Sequence, residues 1–528
     1  MSGEQKHNRI IREYFASDEG KSLLQGKIEI SDAVKLKSIL LQSAELSPLA
    51  EKFIDRSSGR KRKDNGMFFT PYPVALSMVQ AAFELWQQEH NTLEELQKIR
   101  VLDPACGSGE FLLAALEVLL KAGMKMQQNA SPDKLAASII KNNLFGIDCD
   151  RNVLDILQDR FKTAYGQTIC SKHLRCGNSL DRADASTFFA PQKKFDLVIG
   201  NPPYVSYGLR NVGKLDAINA SVLRSRFSGS AEYKIAVYAL FMELALNSTC
   251  RGGVHTFIVP DSFLCGQYFG KLRNFMLKNC AFEQIALVSK KIFKAVPGSL
   301  VIYSAVKRKP GKDHRLNAVS ISNSIDAPDS KQCYSMLQSE FQHNNKQRFR
   351  LFFDEQTHKF VRDFEKNSCC LLGDILTLYS GLVAKSGQSS IVADSPQRSG
   401  NWQRGITSGS AVTPDGIVKW QGKYIDLDPD KIKSGLSKVD YSAGKIFIRQ
   451  TGDRIIAGID RSGLAALNNL HIGTAKNAGL DLEKLVKYLN SNEVLRYYQS
   501  ITLEKDRPMA QVDLETLRML PVQNDLFK

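Results

Sequence analysis

Between residues 67 and 307, short apolar runs alternate with longer segments of helical periodicity, and few folds accommodate that rhythm. Val101-Leu102 precedes a glycine-containing loop and a helical stretch over 110–120. Leu144-Phe145-Gly146-Ile147 is the next apolar run and ends at Asp148. Phe195-Asp196-Leu197-Val198-Ile199-Gly200 is a third, and residues 255–259 and 299–303 supply two more. Parallel strands need crossovers long enough to hold a helix, so this alternation predicts a mostly parallel α/β sheet.

The chain has 528 residues, more than one ordinary core, which predicts two or three domains. Residues 1–58 carry apolar side chains at helical spacing, through Val34, Leu36, Ile39, Leu40 and Leu41, and read as an N-terminal helical extension. A basic loop follows, Gly59-Arg60-Lys61-Arg62-Lys63-Asp64-Asn65-Gly66, which fits a solvated linker as well as a contact to a polyanion. The α/β pattern then defines a domain over 59–345. Its last part, from Lys309-Pro310-Gly311 onwards, is rich in Ser, Asn, Gln and Asp and reads as a linker or excursion. Residues 346–528 form a third domain that mixes short strands with turns such as Thr413-Pro414-Asp415-Gly416. It contains Trp402 and Trp420, and a helix is predicted over 482–498.

The formal net charge of +16 favours a polyanionic partner, because neutralising phosphates releases counterions. Ten cysteines are scattered without a C-x-x-C pair or a Cys/His cluster of zinc spacing. They read as reduced thiols, which together with a polar N-terminus and no apolar run of membrane length predicts a cytoplasmic protein without a structural metal.

Asp103-Pro104-Ala105-Cys106-Gly107-Ser108-Gly109 follows a predicted strand and opens a helix. Small residues let a ligand approach the backbone, and the helix start offers free N–H groups. Residue 112 is Leu, so the loop is not G-x-G-x-x-G, and it lacks the Gly-Lys-Ser/Thr of a P-loop. An adenosine cofactor without a pyrophosphate fits it better. Asp148, at the end of the next strand, can accept hydrogen bonds from both hydroxyls of a ribose.

Asn201-Pro202-Pro203-Tyr204 follows the strand 195–200. The amide oxygen of Asn201 and the carbonyl of Pro202 can both accept from one exocyclic NH₂. The fixed φ of Pro202 and Pro203 holds these acceptors in place, and Tyr204 offers a ring face for a planar base. Two acceptors on one amine expose its lone pair, so the nitrogen could attack a sulfonium methyl in line. Such catalysis rests on positioning and charge stabilisation, with neither metal nor covalent intermediate.

Together these residues resemble the γ-class DNA adenine-N6 methyltransferases with a TaqI-like C-terminal specificity domain. The match is dense over 66–204 and diffuse afterwards. Phe68-Phe69-Thr70-Pro71 resembles that family's first cofactor motif, which implies that Thr70 contacts the methionine part of S-adenosyl-L-methionine. The resemblance gives Asp103, Ala105, Gly107 and Gly109 to the cofactor loop, Asp148 to the ribose, and Asn178, where many members carry Asp, to the adenine ring. It also implies that Phe293 sandwiches a flipped target base against Tyr204. Residues 371–381, 445–452 and 481–512 resemble the DNA-reading part, whereas 395–428 do not align. The fold implied is a class I methyltransferase, a Rossmann-like, mostly parallel seven-stranded sheet, followed by a mixed α+β target-recognition domain. The partner implied is double-stranded DNA, with a separate restriction endonuclease as a candidate companion, since residues 1–58 are too few for a nuclease domain. Two alternatives stay open: an N-P-P-Y methyltransferase acting on RNA or on a protein glutamine amide, and a non-catalytic DNA-binding subunit.

Overall fold

A computed structural model describes residues 70–127, 130–207, 217–289, 298–322, 331–436, 440–505 and 510–524. The predicted N-terminal helices and the basic loop 59–66 lie outside the described residues. The chain divides into two compact units between Phe349 and Arg350.

The first unit is built on one sheet of nine strands. In chain order they are β1 (Val101–Asp103), β2 (Leu144–Asp148), β3 (Leu174–Cys176), β4 (Phe195–Gly200), β5 (Thr249–Pro260), β6 (Ala281–Val288), β7 (Leu300–Val306), β8 (Arg315–Ile321) and β9 (Lys331–Leu337). Their spatial order is 9-8-6-7-5-4-1-2-3. Strands β3, β2, β1, β4 and β5 run parallel, with Val101 opposite both Leu144 and Leu197. Strand β7 runs antiparallel to both neighbours, β5 and β6. The seven strands 3-2-1-4-5-7-6 with the seventh reversed are those expected of a class I methyltransferase.

Strands β8 and β9 extend that sheet, and here the structure corrects the sequence reading. The polar stretch from Lys309 reads as a linker or excursion, yet β8 pairs parallel with β6 and antiparallel with β9. In β8, Leu316 and Ala318 are buried on one face and Val319 and Ile321 on the other, whereas Arg315 and Asn317 near its start are exposed. The strand is covered on one face at its start and on both towards its end. The Ser, Asn and Gln residues around it hide that pattern in an average over composition.

Helices cover the sheet, among them α1 (Tyr72–Gln87), α2 (Glu110–Met126), α3 (Pro132–Asn142), α4 (Arg151–Tyr165), α5 (Val237–Ser248) and α6 (Gly270–Asn279). Helix α2 is buried from Glu110 to Leu120 on every side, so it behaves as a core element rather than an amphipathic one. Its buried Glu117 is held by the Tyr72 hydroxyl at 2.5 Å and by Lys121. Parallel strands end on one side of the sheet, and the loops after β1, β2 and β4 therefore gather there.

The second unit contains two four-stranded sheets. One joins Leu376–Ser380, Leu470–Ala475, Lys445–Arg449 and Ala457–Asp460, all antiparallel. The other joins Val392–Ala393, Lys423–Asp426, Trp402–Ile406 and Ala465–Ala466. A fully buried ion pair, Lys445 to Asp460 at 2.7 Å, ties two neighbouring strands. Ser462 and Leu464 donate to the same carboxylate; burial raises its proton affinity, but Lys445 first and then these donors hold it below the usual range. The helix expected over 482–498 is two helices, Leu482–Leu489 and Asn492–Thr502. Ser491 breaks it by capping the Val494 N–H at 3.3 Å, in the role Ser prefers at a helix start.

Candidate active site

The loop after β1 is closed by Asp103, whose Oδ1 accepts from the Ala105 N–H at 3.0 Å. Gly107 and Gly109 adopt φ of +51° and +94°, the left-handed region that favours glycine. At Gly109 a side chain is also excluded by space, since a Cβ would lie 2.9 Å from Leu157. At Gly107 a Cβ would meet nothing within 4 Å, so the loop's outer face is open to a ligand.

Below the loop sits a residue the sequence reading missed. Arg160 of α4 donates to the Ser108 carbonyl at 2.6 Å and forms an ion pair with Glu110 at the start of α2. Both side chains are buried, at 6% and 5% exposure, where a pair must be well satisfied to be tolerated. A signal was present: Val153, Leu154, Ile156, Leu157 and Phe161 form the buried stripe of α4, and Arg160 lies on it. A charged residue inside an apolar stripe points to a buried partner.

Asp148 ends β2 beside this loop. Its Oδ2 accepts from the Gly107 N–H at 3.0 Å and its Oδ1 from the Asp150 N–H at 2.9 Å. These bonds orient the Asp148 carboxylate at the edge of the glycine loop. Burial, countered by the Ala105 N–H and reinforced by the nearby negative charge of Asp148, pushes the Asp103 carboxyl up to about 8.

Asn178 is exposed and starts a short turn, with its Oδ1 accepting from the Leu180 N–H at 3.1 Å. Its neighbour Ser179, also missed in the sequence, is buried and donates to the Pro104 carbonyl. That bond ties the turn after β3 to the glycine loop.

The tetrad begins where β4 ends. Strands β1 and β4 pair in parallel, and a Cβ on Gly200 would come 2.9 Å from Asp103 Oδ1, so a side chain there would press on that carboxylate. The Asn201 Nδ2 donates to the hydroxyl of buried Thr70 at 3.0 Å, which positions the amide at the end of β4. Pro202 is buried and Pro203 half-buried. The Tyr204 hydroxyl donates to the Ile258 carbonyl of β5 at 3.1 Å. Its ring meets Tyr238 edge-on at 6.5 Å, and Tyr238 in turn stacks on Phe269 at 5.5 Å. Burial, with Tyr238 beside it, raises the Tyr204 phenol well above its usual range, so it stays neutral. Phe293 lies outside the described residues.

The structure thus brings Thr70 and Asn201 into contact. It gathers Asp103, Ala105, Gly107 and Asp148 into one hydrogen-bonded loop, with Gly109 at its helix end. Asn178 joins only through Ser179. The set offers an open glycine turn, an oriented carboxylate and a positioned amide on one side of one sheet.

The model for the Eco57I restriction-modification methylase matches residues 128–293, which include the tetrad. The model for the MmeI DNA-methyltransferase domain matches 80–158, which include the glycine loop and Asp148. A TaqI-like C-terminal specificity domain matches 406–522. The type II methyltransferase M.HincII of Haemophilus influenzae is 23% identical over 254 residues, covering 47% of this chain and 38% of that protein. M.PaeR7I of Pseudomonas aeruginosa is 28% identical over 192 residues, 34% of this chain and 30% of that protein. The chain therefore aligns with less than half the length of these relatives. Among solved structures, a nuclease-deletion mutant of the Type ISP restriction-modification enzyme LlaGI superposes with a TM-score of 0.57 at 13% identity, over 85% of this chain and 45% of that one. The DrdV–DNA complex gives 0.54 at 12% identity, over 92% and 59%. These two likenesses concern the fold. The resemblance read in the sequence is borne out: the chain carries a methylase segment of the Eco57I type and a TaqI-like specificity domain.

Proposed function

We propose that this chain methylates the N6 atom of a flipped adenine in double-stranded DNA, with S-adenosyl-L-methionine as donor, as the modification enzyme of a restriction-modification or similar defence system. The observation that carries the proposal is the Asn201 amide, held by Thr70 at the end of β4 and brought up to the glycine loop by the pairing of β1 with β4. The open turn at Gly107 and the oriented Asp148 fit a nucleoside, with Asp148 accepting from the ribose hydroxyls. Bound there, S-adenosyl-L-methionine would supply an electrophilic methyl group. The Asn201 Oδ1 and the Pro202 carbonyl would accept from the adenine amino group and aim its nitrogen. Tyr204 would stack on the base. A base within a duplex cannot reach such a pocket, so it must leave the helix. The net charge of +16 supports a nucleic-acid substrate, and the TaqI-like segment supports DNA.

The test is methyl transfer from labelled cofactor to DNA of many sequences, to RNA and to protein. We expect label in DNA at adenine. Label in RNA or protein with none in DNA would overturn the assignment. Cofactor-free DNA binding without any transfer would favour a non-catalytic subunit.

A further inference from the structure

A second feature of the first unit lies outside the tetrad. Tyr233 is 80% exposed, although aromatic rings usually bury most of their surface. It is not isolated. Its ring lies 6.0 Å from that of Tyr268 at 35°, and the Lys234 ammonium sits 5.1 Å over the Tyr268 ring. Arg224, exposed on the helix Ala217–Arg226, donates to the Tyr233 carbonyl at 3.4 Å. The neighbouring Glu232 accepts from the Lys271 N–H at the start of α6, so a helix terminus offsets its charge. The aromatic run continues inward, because Phe269 follows Tyr268 and stacks on Tyr238, which meets Tyr204.

We infer that Tyr233 and Tyr268, flanked by Arg224 and Lys234, form a contact platform for the DNA strand beside the flipped nucleotide. The inference rests on the function proposed above and adds a place where the substrate strand lies. Exposed rings next to cations suit single-stranded or distorted nucleic acid, since bases stack on the rings and phosphates pair with the cations. Flipping a base unstacks its neighbours, which gives such a platform something to hold.

The test uses the full chain, a fluorescent mixed-sequence duplex, and the same duplex with a mismatched adenine. Stacking is worth roughly 1–3 kcal/mol per base, so Tyr233→Ala is expected to weaken binding of the mismatched duplex about tenfold. Tyr233→Trp should restore affinity, and Tyr233→Leu should not. Lys234→Ala should lower the slope of log affinity against log salt by about 1. Cofactor affinity, read by calorimetry, should stay at the parent value in all of them. Unchanged affinity of Tyr233→Ala in a protein that methylates DNA would overturn the platform and leave the proposed function standing, as would full affinity of Tyr233→Leu. A parent protein that methylates RNA or protein but not DNA would instead sink the function, and the platform with it.

Discussion

The end of β1 and the end of β4 lie close together yet are held by different physics. At β1 the loop is fixed by ionisable groups: Asp103, Asp148, Glu110 and Arg160, of which all but Asp148 are nearly inaccessible. At β4 the tetrad is fixed by neutral ones: an amide on a hydroxyl, a phenol on a carbonyl, and three rings in contact. Charge is costly to bury and strongly directional once buried, which suits a loop that must not move. Neutral contacts tolerate adjustment, which suits a pocket that must admit a base from outside. The cofactor side should therefore respond to charge and pH, and the substrate side to shape and hydrogen bonding.

The largest effect should come from Arg160→Met, which leaves Glu110 buried without its countercharge. We expect a loss of about 3–5 kcal/mol in denaturant unfolding, with partial recovery in Arg160→Lys. If stability did not change, the loop would not depend on charge and the contrast would collapse. Next, Asn201→Ala should lower methyl transfer by roughly 10²–10³-fold, the cost of removing one positioned polar group, while calorimetry finds cofactor affinity intact. A fully active Asn201→Ala enzyme would falsify the role given to the amide. Asp148→Ala is the converse. Cofactor affinity should fall by about 1.5–3 kcal/mol, as for hydrogen bonds to a charged group, and saturating cofactor should recover much of the rate. Tyr204→Ala should lose about 1–3 kcal/mol of DNA binding with mismatched duplex, whereas Tyr204→Phe should lose less, since its ring remains.

One further effect is read by pH rather than by substitution alone. The Asp103 carboxyl is held near 8 in the fold, against about 4 in an unfolded chain. Between these values the folded state binds the extra proton, so stability falls as pH rises from about 4 to about 8. Calorimetry of the cofactor-free protein from pH 5 to 9 should follow this decline, and Asp103→Asn should flatten it. No change in slope would show that Asp103 is not buried as described.

What the sequence made legible follows the same divide. Gly107, Gly109 and Asp148 announce themselves because backbone handedness and strand ends restrict residue choice severely. Asn201 to Tyr204 is legible because two prolines after a strand are rare without purpose. Arg160 was not read, since its partner Glu110 lies fifty residues away in the chain and only the fold joins them. Ser179 was missed for a similar reason: a serine hydroxyl has many partners, and the Pro104 carbonyl is not readable from position. Strands β8 and β9 read as a linker or excursion because the surrounding polar residues dilute a signal carried by Leu316, Ala318, Val319 and Ile321. In the second unit the break at Ser491 was hidden within one continuous helical period.

The outermost strands of the large sheet bear on how the protein behaves at high concentration. An unpaired strand edge can template a strand from another molecule and so start aggregation. Strand β3 closes one side with only three residues, a short stretch for a foreign strand to pair with. Strand β9 closes the other and opens with Lys331 and Gln332, both exposed, and a lysine on an edge strand disfavours pairing with a foreign strand. Brevity on one border and a lysine on the other both work against propagation of the sheet between molecules.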